Sequence, residues 1–210
     1  MFKQTSLPKT LRSKIKHKDK YNFKKNVLHV SELSYNCMYR VYEKRKHNND
    51  DFGSLWNLFR GNIFDQYISP ILGETQVRVS FRVPKTNFII RGKIDAVNHE
   101  KNIIYEIKTV KSVKFIKNPY SYHIPQGLFY LSNFDPLATL KFVYLSMDGY
   151  KVFTFSGTQK DISDAMKEFE KKAKILGSAL FLNKKPIPQK GSECNWCEHK
   201  KMHTCPLFEN

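Results

Sequence analysis

Acidic residues, cysteines and long apolar runs are all scarce in this 210-residue chain. Nineteen Asp and Glu stand against 36 Lys and Arg, a formal charge of +17. A field of that size attracts polyanions, and nucleic acid is the usual partner. No apolar run is long enough to span a bilayer and no basic amphipathic anchor stands out, which removes the rival partner, an anionic membrane surface. No apolar segment follows the basic N-terminus as it does in a secretory signal, so an intracellular location is expected, in a cell or encoded by a virus. There is no internal repeat. The four cysteines are Cys37, Cys194, Cys197 and Cys205. In a basic chain without a secretory signal they read as metal ligands before disulfides, and Cys194 and Cys197 lie too close for an ordinary bridge.

What is present argues for a folded core. The hydrophobic fraction is 40%, with 16 Phe and 11 Tyr, and the length suits one domain with decorations. Residues 1–26 form a lysine-rich arm, either solvated or contacting DNA. Residues 27–210 read as a single domain whose segment 184–210 carries the cysteine cluster. Ser31 suits the N-cap of a helix bearing Leu33, Cys37, Tyr39 and Val41. A second helix is expected from Ser54 to Ile68, with Leu55, Leu58, Phe59 and Ile63 on one face.

Strand patterns follow. In "QVRVSFRV" Val77, Val79, Phe81 and Val83 alternate with polar residues. "FIIRGKIDAV" and "IIYEIKT" continue the pattern. "TLKFVYLSM", a turn at Asp148-Gly149 and "YKVFTF" form a hairpin. Helices are expected from Gln126 to Phe134 and from Gln159 to about Asn183, the latter with Ile162, Phe169, Ala173, Leu176 and Leu180 at helical spacing. This order gives an α/β (α+β) domain, a central mixed sheet flanked by helices.

Within it, "RGKIDAVNHEKNIIYEIKTV" places Asp95, Glu106 and Lys108 on strands that should be buried. Glu106 and Lys108 are two apart, so they share one strand face with Ile104, while Ile103, Tyr105 and Ile107 face the other way. A hairpin brings Asp95 beside them. Alone, Glu106 and Lys108 describe an ion pair on a wet sheet, because such triplets are common. Two carboxylates and an ammonium on one patch also suit phosphodiester hydrolysis, the acids holding Mg²⁺ or Mn²⁺ and the lysine placed beside the reacting phosphate.

"GKID", "EIK" and "QGLFY" together resemble the G-x-x-D, E-x-K and Q-x-x-x-Y motifs of RecB-like nucleases in the PD-(D/E)XK superfamily. With one early and three late cysteines, the chain is similar to the CRISPR-associated RecB-like exonucleases and to the iron-staple nuclease domains of AddB-type helicase-nucleases. The resemblance runs from about Ser31 to Pro206. It implies a metal-dependent deoxyribonuclease acting mainly on single-stranded DNA, as exonuclease or endonuclease. Asp95 and Glu106 match the metal-binding acids, Lys108 the catalytic lysine, and the Ile107 backbone carbonyl a further metal ligand. Gln126 and Tyr130 match Q-x-x-x-Y, and their i,i+4 spacing puts both on one helix face. There Gln126 would hydrogen-bond near the scissile phosphate, and Tyr130 would stack on a base or donate its hydroxyl. Asp65, in "GNIFD", stands where the family commonly has a metal-ligating histidine. It reads as an oxygen ligand or as a surface carboxylate. Tyr122 and His123 line the same groove or pack locally.

By the same resemblance Cys37, Cys194, Cys197 and Cys205 would bind a 4Fe-4S cluster that joins the N-terminal helical part to the C-terminal tail. Zinc is the alternative, because His199 and His203 lie inside the segment and three cysteines with one histidine make a tetrahedral site. Two further readings stay open: a nucleic-acid-binding module that lost catalysis through the change at Asp65, and a subunit active only with protein partners in a larger DNA-processing complex.

Overall fold

The structure, a computed structural model, describes residues 26–47, 52–155 and 157–208. The basic arm lies outside them except for its last residue. Strand β1 (Val27–His29) leads into a short helix α1 (Val30–Leu33), then α2 (Met38–His47) and α3 (Phe52–Leu72). Strands β2 (Glu74–Arg82), β3 (Ile89–Asn98) and β4 (Ile103–Thr109) follow. Helix α4 (Ile124–Asn133), strands β5 (Thr139–Ser146) and β6 (Gly149–Phe155), helix α5 (Gln159–Leu182) and a one-turn α6 (Glu198–Lys201) complete it. The result is a mixed α/β fold with a six-stranded mixed sheet flanked by helices. No helix among the described residues is long and apolar enough to cross a membrane.

The pairing around β3 sets the site. β2 runs antiparallel along one whole edge of β3. The other edge is divided: β1 pairs in parallel with Ile89 to Arg91, and β4 pairs antiparallel with Ala96 to Asn98. Residues 92–95 therefore have no strand partner on that edge. β4 then pairs in parallel with β5, connected through α4, and β6 closes the sheet as an antiparallel hairpin.

Alternation along the strands sorts the core. Ile90, Ile94, Ile104, Leu140 and Phe142 pack with Phe129 of α4 and Phe169 and Leu176 of α5. On the opposite face Ile107, Val143 and Leu145 meet Phe64, Ile68 and Leu72 of α3. The α3 seam is thus Phe64, Ile68 and Leu72, at i,i+4,i+8. Ile63, expected on the buried face, is 41% exposed. α5 has the expected span, opened by a reciprocal cap between Thr158 and Asp161 and closed by Asn183 at φ 53°.

Three expectations are corrected. β1 was not anticipated. The hairpin turn is Met147-Asp148, because Gly149 already pairs with Ser146. The helix read from Ser31 is two helices: His29 takes the N-cap of α1, and the chain breaks before Met38. At that break the buried Glu193 carboxylate, from the C-terminal tail, accepts the N–H groups of Asn36 (2.7 Å) and Cys37 (2.9 Å). A side chain 157 positions away does the work of a local cap.

Removing that acceptor leaves two N–H donors unpaired in a protected site. Glu193→Ala should cost about 2 kcal/mol, read as a lower urea midpoint, while Glu193→Gln, which keeps a carbonyl acceptor, should retain most of the stability.

Candidate active site

The site grows from the unpaired stretch of β3. In register, Asp95 would face Glu106 of β4, but the ladder stops one pair earlier, at Ala96 and Tyr105. The Asp95 carboxylate instead accepts the Ile107 N–H at 2.7 Å. A strand residue sends its N–H and C=O to the same side, so the Ile107 carbonyl faces the same opening. On the other edge, Gln76 and Asp95 also drop out of the otherwise continuous register, with Gln76 at φ 57°.

Glu106 is fully buried and Lys108 keeps 23% side-chain exposure. Sharing a face, the Lys108 ammonium pairs with Glu106 Oε1. It also donates to Gln126 Oε1 at 3.2 Å. Gln126 in turn donates to the Tyr130 hydroxyl at 2.9 Å. The chain Tyr130, Gln126, Lys108, Glu106 is one network, anchored on α4 and ending on β4. Both motif glycines permit it. A Cβ on Gly92 would lie 2.6 Å from the Tyr130 ring and 2.8 Å from Val30. A Cβ on Gly127 would lie 2.3 Å from Leu140, so α4 could not approach the sheet closely enough to place Gln126.

The network revises two expected roles. Tyr130 is buried against Gly92, so its ring is not available to stack on a base. Gln126 holds Lys108. Asp65, on α3, accepts from Gln76 Nε2 at 2.8 Å and from the Ser69 hydroxyl.

Electrostatics mark the cluster as under strain of charge. Burial pushes the Asp95 pKa well above the usual carboxylate range, and the charges of Glu106 and Asp65 push the same way. Burial also raises Glu106, opposed by Lys108. For Lys108, burial works against the ammonium, but Glu106 and Asp95 outweigh it and the pKa rises. Two carboxylates, Glu106 and Asp95, act on one ammonium, and the Asp65 charge acts on both of those acids. Glu106 Oε2 is buried with no hydrogen-bond donor. This donor set suits a hard divalent cation. Each acid is engaged by a donor of the chain itself, and among the described residues no three His, Cys, Asp or Glu side chains converge on a metal position.

A groove of about 700 Å³ adjoins the network, floored by Gln126 and Tyr130 and edged by Arg78, Arg91 and Lys93. These three cations were not singled out from the sequence, although the period-two pattern puts Arg78 on the exposed face of β2. Beside Lys108, His123 Nδ1 bonds the Tyr144 hydroxyl at 2.8 Å. Burial, then the Lys108 charge, lowers the His123 pKa to about 3.

The cysteine tail packs against the start of α2. Besides Glu193, the Tyr39 hydroxyl donates to the Thr204 carbonyl at 3.2 Å. Cys37, Cys197 and Cys205 are buried, Cys194 is partly exposed, and all four are free thiols. The donor set fits an iron-sulfur cluster or zinc and the folded chain draws the segments together, although the sulfurs themselves do not converge.

The low His123 pKa has a sign. The unfolded chain takes a proton near pH 6.5 and the folded one only near 3, so the stabilisation is whole above pH 6.5 and is lost as pH falls toward 3. His123→Asn should flatten the acid-side loss of urea stability between these limits, and the His123 ring signals should not titrate above pH 5 by NMR. A midpoint near 6.5 contradicts this.

No protein-family model matches the chain, and no curated protein matches it in sequence. The crystal structure of SSO0001 has a similar fold, with a TM-score of 0.67 at 21% identity, covering 93% of this chain and 94% of that one. A crystal structure of an Eubacterium rectale protein whose name proposes an exonuclease covers the same shares at 14% identity and a TM-score of 0.49, and nothing about this chain rests on it. At 21% identity the first likeness establishes the mixed α/β fold alone.

Proposed function

We propose that this chain is a metal-dependent nuclease of the RecB-like, PD-(D/E)XK kind, hydrolysing phosphodiester bonds of DNA and acting mainly on single strands. The observation that carries the reading is the Asp95, Glu106 and Lys108 cluster at the opening of the sheet, with Glu106 fully buried, both acids pushed up by burial and one Glu106 oxygen without a hydrogen-bond donor. A wet-sheet ion pair would not bury its carboxylate completely.

In this reading Asp95, Glu106 and the Ile107 carbonyl hold Mg²⁺ or Mn²⁺, with Asp65 as a further oxygen donor. The cation supplies an acidified water and offsets charge on the phosphate. Lys108 stabilises charge developing on the phosphate, and its raised pKa keeps it an ammonium for that task. Gln126 fixes the Lys108 ammonium, and Tyr130 fixes Gln126. Arg78, Arg91 and Lys93 bind the strand's phosphates along the groove, so affinity falls with salt.

The four cysteines hold a 4Fe-4S cluster, with zinc as the alternative, as a staple for the tail and not as a redox centre. The protein works inside cells, with DNA as partner and with room for protein partners in a DNA-processing complex. A second reading, a binding subunit that does not cut, draws support from Asp65, whose carboxylate is already engaged by Gln76 and Ser69.

Labelled single-stranded and duplex DNA incubated with Mn²⁺ separates the two. Cleavage is expected, and Lys108→Ala or Asp95→Ala should lower its rate by about 10²–10³ or more with DNA binding kept. Parental rates in either variant would sink the assignment, and a parent that binds without cutting supports the second reading. An independent readout is thermal. Ionised acids with raised pKa values destabilise the fold near neutral pH, so Mn²⁺ should raise Tm. Asp95→Asn, which keeps an acceptor for the Ile107 N–H, should raise the metal-free Tm and remove the Mn²⁺ increment. A brown protein absorbing in the visible supports iron and sulfur over zinc.

A further inference from the structure

A line of rings runs from Lys108 to the cysteine tail, and the proposed hydrolysis makes no use of it. Tyr120 and Tyr122, in the connection before α4, are stacked with centroids 5.4 Å apart and planes 8° from parallel. Tyr122 meets Trp196 of the tail at 6.3 Å, and Trp196 meets Tyr35 at 6.2 Å. The Arg40 guanidinium sits between the last two, 4.8 Å from the Tyr35 centroid and 4.7 Å from that of Trp196. The line starts beside the acid–lysine cluster, since Lys108 pairs in register with Tyr144 of β5, whose ring meets Tyr120 at 5.5 Å. Tyr120 and Trp196 are 37% and 42% exposed, and Tyr35 and Tyr122 are half-buried. Lys111, Lys114 and Lys117, all exposed, lie on the connection that carries the two tyrosines.

We propose that Tyr120, Tyr122, Trp196 and Tyr35 form a stacking track for the unpaired bases of a DNA strand whose phosphates follow these lysines toward Lys108. The end point of the track rests on the hydrolytic reading; the track itself is a binding surface. Every base has a π-face, so such a track is tolerant of sequence. In a duplex the base faces are covered by their neighbours, so the track selects single strands. Arg40, held against both rings, fixes Trp196 and Tyr35 in place. The tail thereby contributes to the substrate surface, in addition to any metal it binds.

The test uses the full chain in a Lys108→Ala background, which removes cleavage from the measurement. Affinities are measured by fluorescence anisotropy for an oligothymidylate, for an abasic strand of equal length and for a blunt duplex. Tyr122→Leu and Trp196→Leu should each weaken oligothymidylate binding about 5- to 100-fold, leave the abasic strand and the duplex unchanged, and be rescued by Tyr122→Phe and Trp196→Phe. Parental affinity for oligothymidylate in both leucine variants overturns the proposal. An equal loss on the abasic strand also overturns it, because the rings then act through folding. Tyr122 lies outside the tail, so its variant tests the track even where Trp196→Leu unseats the tail. If the parental protein fails to cut DNA while the leucine variants lose oligothymidylate selectively, the hydrolytic reading falls and the track stands.

Discussion

The Asp95 carboxylate takes the place of a strand: it accepts the Ile107 N–H that a continued β3–β4 ladder would have paired. Everything at the site depends on that substitution. A sheet cannot be opened in its interior without stranding backbone donors, and here the side chain that forces the opening also satisfies the donor it exposes. The opening is bounded as well. β1 takes the near end of the same β3 edge and β4 the far end, so only four residues lie between them. The sheet stays intact on both sides while a Glu106 carboxylate and a Lys108 ammonium reach inward at its centre.

The second layer is close approach. Lys108 is directed by Gln126, Gln126 by Tyr130, and both α4 residues reach the sheet only because Gly127 and Gly92 present no side chain there. The three motifs thus form a single packing arrangement in which the glycines, the amide and the phenol set the direction of one ammonium. The cost is electrostatic. Burying two acids beside one lysine, with the Asp65 charge nearby, raises the pKa values of Asp95 and Glu106, and that imbalance is what a divalent cation would relieve.

Much of this was legible in the sequence because it is local. Period-two patterning located β2 to β6, and the two-residue spacing of Glu106 and Lys108 put them on one face, with Tyr105 and Ile107 on the other. What escaped was set by distant residues. Three-residue β1 carries no periodicity of its own and exists because β3 offers it an edge. The break before Met38 follows from Glu193, which no pattern near Ser31 announces. The i,i+4 spacing of Gln126 and Tyr130 gave their shared face correctly, but spacing cannot say that the face is buried, so the pair reads as ligand-facing until Gly92 is seen against the Tyr130 ring. The ring line from Tyr120 to Tyr35 joins three separated segments, and no window along the chain contains it.

The Glu193 clasp orders events in time. It joins positions 157 apart, so its closure entropy is large and is recovered only after the sheet and α2 have formed a surface to close upon. During synthesis the acids at 95 and 106 leave the ribosome well before residues 193–196. A nascent chain can therefore shape its sheet while Trp196 is still absent from the Tyr35 and Tyr122 rings. An unfinished molecule thus holds its acid–lysine cluster without the complete line of rings, which closes only when the last segment docks.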